Sequence, residues 1–352
     1  MQSLPKAAGA GHITEALRRS GVLADGHVTE VAVEKSFPTV LSYIFRLRLT
    51  YEGAPAGAPQ SLMLKAGLLD RPGGPWMGGR HEVSFYAEVA PATPVGLVPR
   101  CFDAHWDQDT GTWHLLLEDL TESHLVATSW SLPPTIEQSE SIIRTRARFQ
   151  AAWWDHPRLG ATVGMWQGAS AAEESRQRLA GQFERFADAL GDRLSPGRRD
   201  LYARLLEQTP RLTARYHSHR NMTIVQGDAH VWNCFLPRTG GVDDARLFDW
   251  DAWRIDVGTD DLAYMMALHW YPDLRQRSER HLLDCFHDEL VAQGVRDYDR
   301  RALQDDYRLS VLGQIMTPVW HHAVGIPPVI WWNNLERIHL AVDDLGCREL
   351  LT

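Results

Sequence analysis

One segment in the middle of the chain constrains its fold and its chemistry more than any other. It reads Thr-Ile-Val-Gln-Gly-Asp-Ala-His-Val-Trp-Asn-Cys-Phe-Leu, from Thr223 to Leu236, and lies among stretches with helical periodicity. The apolar residues at its start predict a short strand, and Gly227 permits a sharp turn that leaves Asp228 at the strand end. Asn233 follows five residues later.

A further acidic residue stands at a second strand end. Cys234 to Leu236 and Arg246 to Phe248 predict a hairpin with Thr-Gly-Gly in its turn, and Asp249 follows the second strand. Asp228, Asn233 and Asp249 are therefore expected to converge. Mg²⁺ prefers oxygen ligands, and phosphoryl transfer also needs a carboxylate that accepts the proton of the acceptor hydroxyl. The pattern predicts one catalytic base and two metal ligands.

The first third of the chain reads as strands with one helix between them. Apolar and polar residues alternate most clearly from Leu41 to Thr50, and period two is typical of a half-buried strand. The helix is expected from His81 to Val89, before Pro91. The predicted strands, which make one sheet, are Val28 to Val33, Leu41 to Thr50, Ser61 to Ala66, Leu97 to Phe102 and Trp113 to Leu117.

From Pro134 onward the periodicity is helical, apart from the segment that contains Asp228. We therefore expect an α+β protein with a small sheet-rich lobe in residues 1–119 and a large helical lobe in residues 120–352. The predicted helices of the second lobe are Thr135 to Trp154, Ala171 to Leu190, Gly197 to Tyr216, Asp260 to His269, Glu279 to Ala292, Arg300 to His321 and Val329 to Leu345.

Composition limits the partners and the cellular setting. The formal net charge of −9 gives no basic footprint of nucleic-acid binding. No segment approaches the ~20 apolar residues that span a membrane, and the N-terminus has no signal-peptide pattern. The four cysteines are scattered without a Cys-x-x-Cys pair, which fits a reducing compartment. We expect a cytoplasmic enzyme with no nucleic-acid or membrane partner.

Three motifs resemble one known superfamily. Gln-Gly-Asp-Ala-His-Val-Trp-Asn closely matches His-Gly-Asp-x-His-x-x-Asn, the catalytic-loop motif of the aminoglycoside phosphotransferase and choline kinase superfamily. Leu-Phe-Asp-Trp, followed by Gly258 and Asp261-Leu262-Ala263, resembles the metal-binding segment of that superfamily and the helix after it. The stretch from Arg146 to Leu159 is similar to its ecdysteroid kinase-like branch. The resemblance implies a two-lobed protein-kinase-like fold with an antiparallel sheet in the first lobe.

The resemblance also implies which residues perform the transfer. Asp228 is the implied catalytic base, and Asn233 and Asp249 are the implied ligands of one or two Mg²⁺ ions. The implied cofactors are ATP and Mg²⁺. The implied acceptor is a hydroxyl group of a small molecule.

A second set of residues is implied to hold the nucleotide. Lys65, in Leu-Met-Leu-Lys-Ala, matches the strand lysine that contacts the α- and β-phosphates, and Glu82 matches its ion-pair partner. The stretch from Leu115 to Leu120 resembles the hinge whose backbone pairs with adenine, with Glu118 and Leu120 as the contacts.

The chain departs from the family pattern at two places. Gln226 replaces the usual histidine before Gly-Asp, a position that is structural in the family. The nucleotide loop is expected between the first two strands, yet Lys35 to Tyr43 contains no glycine. Glycine-rich loops bring backbone N–H groups close to phosphates. Without them, phosphate positioning is left to the hydroxyls of Ser36, Thr39 or Ser42, or to the metal alone.

Several other polar residues have ordinary structural explanations. His230 is expected to tie the catalytic loop together by hydrogen bonds rather than to act as an acid or base. Asp260 and Asp261 stand where a helix starts, so N-capping accounts for them. Most of the 14 tryptophans fall in or near predicted helices and are expected in the core, with a subset available to line the acceptor pocket.

Three functions are compatible with these patterns. The first is a small-molecule kinase, whose acceptor is an aminoglycoside or other hydroxylated antibiotic, a nucleoside antibiotic, a choline-like amino alcohol, a sugar or a steroid-like alcohol. The second is an inactive pseudokinase-like protein that binds nucleotide or ligand. The third, a protein kinase, is disfavoured because a helix is predicted about ten residues after Asp249, which leaves little platform for a peptide.

Overall fold

A computed structural model of the protein describes residues 4–68, 78–238 and 245–352. Its contacts divide the chain into two compact units. Unit 1 comprises Met1–Val126 and Cys234–Trp253, and unit 2 comprises Ala127–Asn233 and Arg254–Thr352. The predicted division after residue 119 assigns 234–253 to the helical lobe. This segment instead belongs to unit 1, because its first strand pairs with the strand at residues 124–126.

The described strands form three antiparallel sheets, and the largest of them carries the order β1-β2-β3-β5-β4. A three-stranded sheet, β6-β8-β9, completes unit 1, and a two-stranded sheet, β10-β7, lies in unit 2. The strands are β1 His27–Pro38, β2 Ser42–Glu52, β3 Ser61–Gly67, β4 Cys101–Trp106, β5 Trp113–Glu118, β6 His124–Val126, β7 Thr223–Val225, β8 Cys234–Pro237, β9 Arg246–Leu247 and β10 Arg254–Asp256.

The helices lie mostly in unit 2, so the predicted α+β class, an antiparallel sheet followed by a largely helical remainder, is confirmed. The helix α2 continues as a π-helical turn over Phe85–Val89, and α6 continues in the same way over Ala263–Leu268. The helices are α1 Ala10–Arg19, α2 Gly78–Ser84, α3 Ile136–Ala152, α4 Ala169–Leu190, α5 Pro196–Leu212, α6 Thr259–Leu262, α7 Pro272–Ala292, α8 Arg300–Gly313, α9 Met316–Ala323 and α10 Pro328–Asp344.

Helix α1 was not predicted from the sequence. Its buried residues Ile13, Ala16 and Leu17 are spaced three and four apart, as one face of a helix requires. They pack into the same core as Leu47 and Leu116 of the large sheet. This short amphipathic helix thus covers one face of the sheet.

Two element boundaries differ from the prediction because prolines lack a backbone N–H donor. The fourth strand begins at Cys101 rather than Leu97, because Pro99 has no N–H to offer the ladder. The single helix predicted from Arg300 to His321 is two helices, α8 and α9. Pro318 cannot donate to the carbonyl four residues earlier, but it is tolerated in the first turn of a new helix.

The hairpin predicted around the second strand-end aspartate is present. Cys234 pairs with Leu247 and Phe235 pairs with Arg246. The Thr-Gly-Gly turn of the prediction lies outside the described residues. None of the described helices combines the length and the apolar character that crossing a membrane requires.

Candidate active site

The loop of unit 2 that carries Asp228, the predicted catalytic base, begins where the buried strand β7 ends. Gly227 adopts φ +83°, a left-handed conformation that costs glycine little, and the chain turns there. Asp228 follows, with 34% of its side chain exposed. The expected strand, turn and strand-end aspartate are therefore all present in the structure.

A buried ion pair between Arg146 and Asp261 holds this turn through its backbone N–H groups. Asp261 Oδ2 accepts the backbone N–H of Gln226 at 3.0 Å, and Oδ1 accepts that of Gly227 at 3.0 Å. The guanidinium of Arg146, which has 0% exposure, donates to Asp261 Oδ2 at 2.6 Å. The interpretation of Asp261 as an N-cap is therefore wrong: α6 shows no side-chain cap, and this carboxylate holds the catalytic loop instead.

Gln226 takes part in the same network. Its side-chain oxygen accepts a hydrogen bond from Arg146 at 3.1 Å, and Arg146 also donates to the carbonyl of Ala229 at 3.3 Å. The Nε2 group of Gln150 donates a hydrogen bond to Asp261 Oδ2 at 3.2 Å. The residue that departs from the family motif thus supplies an acceptor to the buried arginine.

Three side chains surround the carboxylate of Asp228. Tyr264 donates to Oδ1 at 2.6 Å, Asn233 donates to Oδ2 at 3.1 Å, and His230 Nε2 lies 3.5 Å from Oδ2. Burial alone would raise the pKa of Asp228, but His230, the Tyr264 hydroxyl and His269 together lower it. The carboxylate is therefore ionised at neutral pH and held in one orientation.

Asn233 has the geometry expected of a cation ligand. Its Nδ2 group donates both to Asp228 Oδ2 and to the Asp228 carbonyl, the latter at 2.9 Å. Among the described residues, none donates to its Oδ1 atom. An amide oxygen fixed by its own NH₂ group and left open is the type of ligand that Mg²⁺ takes.

Aromatic rings and imidazoles form a wall beside Asp228. Ring centroids of His230 and Trp232 lie 5.3 Å apart, those of His230 and His269 lie 5.6 Å apart, and Trp130 is 6.4 Å from Trp232. Burial lowers the pKa of His269 to about 3 and that of His321 to about 4. Both imidazoles are therefore neutral at physiological pH.

Some polar atoms of this wall are buried without a partner in the described part of the chain. They are Nδ1 of His230, Nε1 of Trp232 and Nδ1 of His321. A buried nitrogen that makes no hydrogen bond is costly, so these three atoms are polar groups of the wall that the described residues leave unsatisfied. The expectation that His230 ties the loop together by hydrogen bonds stays a prediction.

Unit 1 brings together three further predicted residues, which are Lys65, Glu82 and Asp249. Lys65 Nζ, on β3, lies 2.9 Å and 2.7 Å from the two carboxylate oxygens of Glu82 and 2.7 Å from Asp249 Oδ1. Burial would lower the pKa of Lys65, but Asp249 and Glu82 outweigh burial and raise it. For Glu82 burial acts in the other direction and raises the pKa, against the opposing effect of the Lys65 charge. The lysine is therefore a fixed cation.

Packing of aromatic rings sets the position of Asp249. Trp250 stacks on Phe85 of the π-helical turn with centroids 3.9 Å apart, and Trp253 stacks on His81 of α2 at 5.0 Å. Asp249 itself has φ +67°, a conformation uncommon for a residue with a side chain and frequent at functional sites. The segment that carries Asp249 is thus clamped to the helix that carries Glu82.

The predicted hinge contains a buried, hydrogen-bonded carboxylate, Asp119, which the sequence analysis did not identify. Asp119 accepts hydrogen bonds from Arg46 at 2.6 Å and Ser61 at 2.6 Å. Burial would raise the pKa of Asp119, but bonds from Ser61, Thr121 and Arg46 lower it to about 2. This charge network fixes the chain between the two residues assigned to adenine.

The two hinge residues differ in what they can offer a ligand. The N–H of Glu118 donates to the carbonyl of Arg100 at 2.8 Å, and its carboxylate accepts the Arg100 N–H at 3.2 Å. The carbonyl of Leu120 accepts the N–H of His124 at 2.8 Å. The Leu120 N–H makes no backbone hydrogen bond within the described residues.

The predicted nucleotide loop is a tight turn rather than an open loop. β1 extends to Pro38, and Thr39 closes the turn by donating its N–H to the carbonyl of Ser42 at 2.7 Å. The hydroxyls of Thr39 and Ser42 lie 2.8 Å apart and bond to each other. The N–H groups of Val40 and Leu41, at the tip, make no backbone hydrogen bond within the described residues. Hydroxyl contacts thus replace glycine in shaping the turn.

Of the three residues Arg146, Asp261 and Tyr264, the sequence gives a signal only for the burial of Arg146. Arg146 lies on the apolar stripe of α3 with Ile142, Ile143 and Phe149, so its burial follows from helical periodicity. A buried arginine needs a carboxylate partner, but helical periodicity does not identify Asp261 as that partner. Tyr264 gives no comparable signal, because it lies in a run of buried residues.

We predict that Asp261→Asn lowers the free energy of unfolding by about 3–5 kcal/mol, because Arg146 stays buried without its counter-charge. Urea unfolding of the variant measures this loss. The matched control is Asp305→Asn, which removes one partner of an exposed pair in which Arg301 Nε lies 4.0 Å from Asp305 Oδ2. Its expected effect is within about 0.5 kcal/mol. Equal effects of the two substitutions would contradict the assignment.

Comparison with known proteins places the chain in a family. The model of the ecdysteroid kinase-like family matches residues 40–296. No curated protein sequence matches the chain. Among solved structures, it is similar to a candidate aminoglycoside phosphotransferase from Ralstonia eutropha JMP134, with 14% identity and a TM-score of 0.60. That match covers 96% of this chain and 97% of the other.

A choline/ethanolamine kinase family protein from Mesorhizobium loti is also similar, with 12% identity, a TM-score of 0.51, and coverage of 88% of this chain and 87% of the other. At these identities the likeness shows the fold alone, which is the kinase-like fold expected from the sequence. The family model spans more than half of the chain, and the protein belongs to the ecdysteroid kinase-like family.

Proposed function

We propose that the protein is an ATP- and Mg²⁺-dependent phosphotransferase that moves the γ-phosphoryl group onto a hydroxyl of a small molecule. The observation that carries this proposal is the carboxylate of Asp228. It is partly exposed and ionised, and Tyr264 and Asn233 hold it in a fixed orientation. A base in this state accepts the hydroxyl proton and aims the oxygen at phosphorus.

Nucleotide binding is assigned to unit 1. Lys65 is a buried cation with two carboxylate partners, which keeps its ammonium group in place for the α- and β-phosphates. The N–H groups of Val40 and Leu41 are available to phosphate oxygens at the tip of the first turn. At the hinge, the Leu120 N–H makes no backbone hydrogen bond within the described residues and is available to adenine, whereas the Glu118 N–H already donates to the Arg100 carbonyl.

Magnesium binding is assigned to Asn233 and Asp249. The open amide oxygen of Asn233 and the carboxylate of Asp249 are hard oxygen ligands. When bound, Mg²⁺ supplies positive charge to the phosphate oxygens. Asp249 also contacts Lys65, so one carboxylate serves both the cation of the protein and the cation of the nucleotide.

The wall beside Asp228 favours a neutral acceptor over a polycationic one. His269 and His321 are neutral, and the rings of Trp130 and Trp232 give the wall apolar surface. A polycation needs several carboxylates, so sugars, nucleosides and steroid-like alcohols fit this wall better than aminoglycosides.

We predict that a pooled panel of neutral polyols, nucleosides, sterols, amino alcohols and aminoglycosides, incubated with MgATP, yields a product that has gained one phosphoryl group. Mass spectrometry detects it. Asp228→Asn should bind MgATP with unchanged affinity and form product at least ~100-fold more slowly, because it lacks the base. Retained product formation in that variant would refute the role of Asp228. Bound MgATP with no product from the wild type would support a nucleotide-binding protein instead.

Tyr264→Phe tests how the base is tuned. Loss of the hydroxyl removes a donor that lowers the pKa of Asp228, so the acidic limb of the pH–rate profile should move to higher pH. We also expect kcat to fall by about tenfold. Tyr271→Phe, at an exposed tyrosine of the same unit, is the control and should change neither quantity. An unmoved acidic limb in Tyr264→Phe would show that this hydrogen bond does not tune the base.

A further inference from the structure

Two histidines and an aspartate of unit 1, none of them assigned to phosphoryl transfer, converge on one point. His12 Nε2 lies 2.7 Å from Asp103 Oδ2, and His114 Nε2 lies 2.8 Å from the same oxygen. The three ligand atoms all lie within 4.8 Å of one another. The residues come from three elements: α1, β4 and β5.

The fold brings this trio together through an irregularity in the sheet. β4 carries one extra residue between Cys101 and Asp103, so that Asp103 lies opposite Leu116. His105 then lies opposite His114, which puts Asp103 and His114 on one face. A β-bulge of this kind re-aims side chains and is frequent beside functional sites. Leu116 belongs to the core under α1, so this face is the one that α1 covers with His12.

We propose that His12, Asp103 and His114 bind a zinc ion, with water in the remaining position. Zinc takes histidine nitrogen at about 2.0–2.1 Å and carboxylate oxygen at about 2.0–2.2 Å, so tetrahedral ligand atoms stand about 3.3 Å apart. Each nitrogen here is about half an ångström closer to the oxygen than that. Small rotations of the rings admit the ion without moving the backbone.

The surroundings of Asp103 favour this site over a plain hydrogen-bonded cluster. Arg19 donates to Oδ1 at 2.9 Å, which orients the carboxylate and leaves Oδ2 to face both imidazoles. A carboxylate ligand whose second oxygen is hydrogen-bonded is a common arrangement at metal sites. Asp103 and His114 have only 15% and 12% of their side chains exposed, whereas His12 has 35%, which gives an ion a route in.

The donor set selects the metal. Two imidazoles and one carboxylate suit zinc and similar first-row ions, whereas Mg²⁺ prefers oxygen ligands and retains water. The site is thus chemically separate from the pair assigned to magnesium. Its expected role is structural: α1 has ten residues, is marginal as an isolated helix, and would be joined to β4 and β5 through one ion.

A second cluster provides the competing location. His281 Nε2 lies 2.6 Å from Glu140 Oε1 and 3.6 Å from Cys285 Sγ, in unit 2. Its thiol distinguishes it from the first cluster, because sulfur bound to cobalt gives a near-ultraviolet charge-transfer band and nitrogen or oxygen does not. Substituting cobalt for zinc therefore reports which cluster holds the ion.

The experiment uses untagged, chelator-treated full-length protein in an excess of Mg²⁺. Zinc is titrated against a chromophoric chelator, and Tm is followed in parallel. We expect zinc to bind to the wild type and to raise Tm. His12→Gln and His114→Gln should each weaken zinc binding by about tenfold or more. His27→Gln, which alters an exposed histidine 3.8 Å from Glu52, and Cys285→Ser should retain it.

Two results would overturn the proposal. One is the absence of zinc binding by the wild type at micromolar concentrations. The other is binding that survives in His12→Gln but is lost in Cys285→Ser, with a sulfur-to-cobalt band in the wild type. If His114→Gln does not fold, His12→Gln still tests the zinc site. The His12 side chain is the most exposed of the three proposed ligands, so its substitution disturbs the fold least. None of these readouts depends on kinase activity.

Discussion

The position of the loop that carries Asp228 depends on one buried ion pair. Arg146 and Asp261 are both removed from water, which is costly unless each is paired and hydrogen-bonded. The loop supplies the hydrogen bonds that the ion pair still needs. Asp261 accepts the backbone N–H groups of Gln226 and Gly227. Arg146 donates to the Gln226 side chain and to the Ala229 carbonyl. The position of Asp228 is therefore a consequence of how a buried charge is satisfied.

Unit 1 applies the same physical solution to a lysine. Lys65 is buried and charged because Glu82 and Asp249 together outweigh its desolvation. Aromatic stacking of Trp250 on Phe85 then keeps the second carboxylate in reach. In both units a hydrophobic environment raises the cost of an unpaired charge, and that cost enforces the geometry of the polar groups. The residues assigned to the phosphates and to the acceptor are held by separate networks, one in each unit.

Much of this could be predicted from the sequence, because spacing and periodicity are local. The strand, turn and aspartate around Gly227 follow from residue types alone, and the pairing of Lys65 with Glu82 follows from a family resemblance. The role of Asp261 could not be read from its position at a helix start, because its partners lie 34 and 35 residues earlier in the chain. The role of Tyr264 could not be predicted for a similar reason, because its partner Asp228 lies 36 residues earlier in the chain.

The central claim is that the two networks serve one reaction, in which Lys65 holds nucleotide and Asp228 activates the attacking hydroxyl. Slow hydrolysis of MgATP without any acceptor, measured together with MgATP affinity, tests it most directly. The account predicts that Lys65→Ala loses affinity, whereas Asp228→Asn keeps affinity and loses hydrolysis by at least ~100-fold. Hydrolysis that is absent from the wild type, or unchanged in Asp228→Asn, would contradict the account.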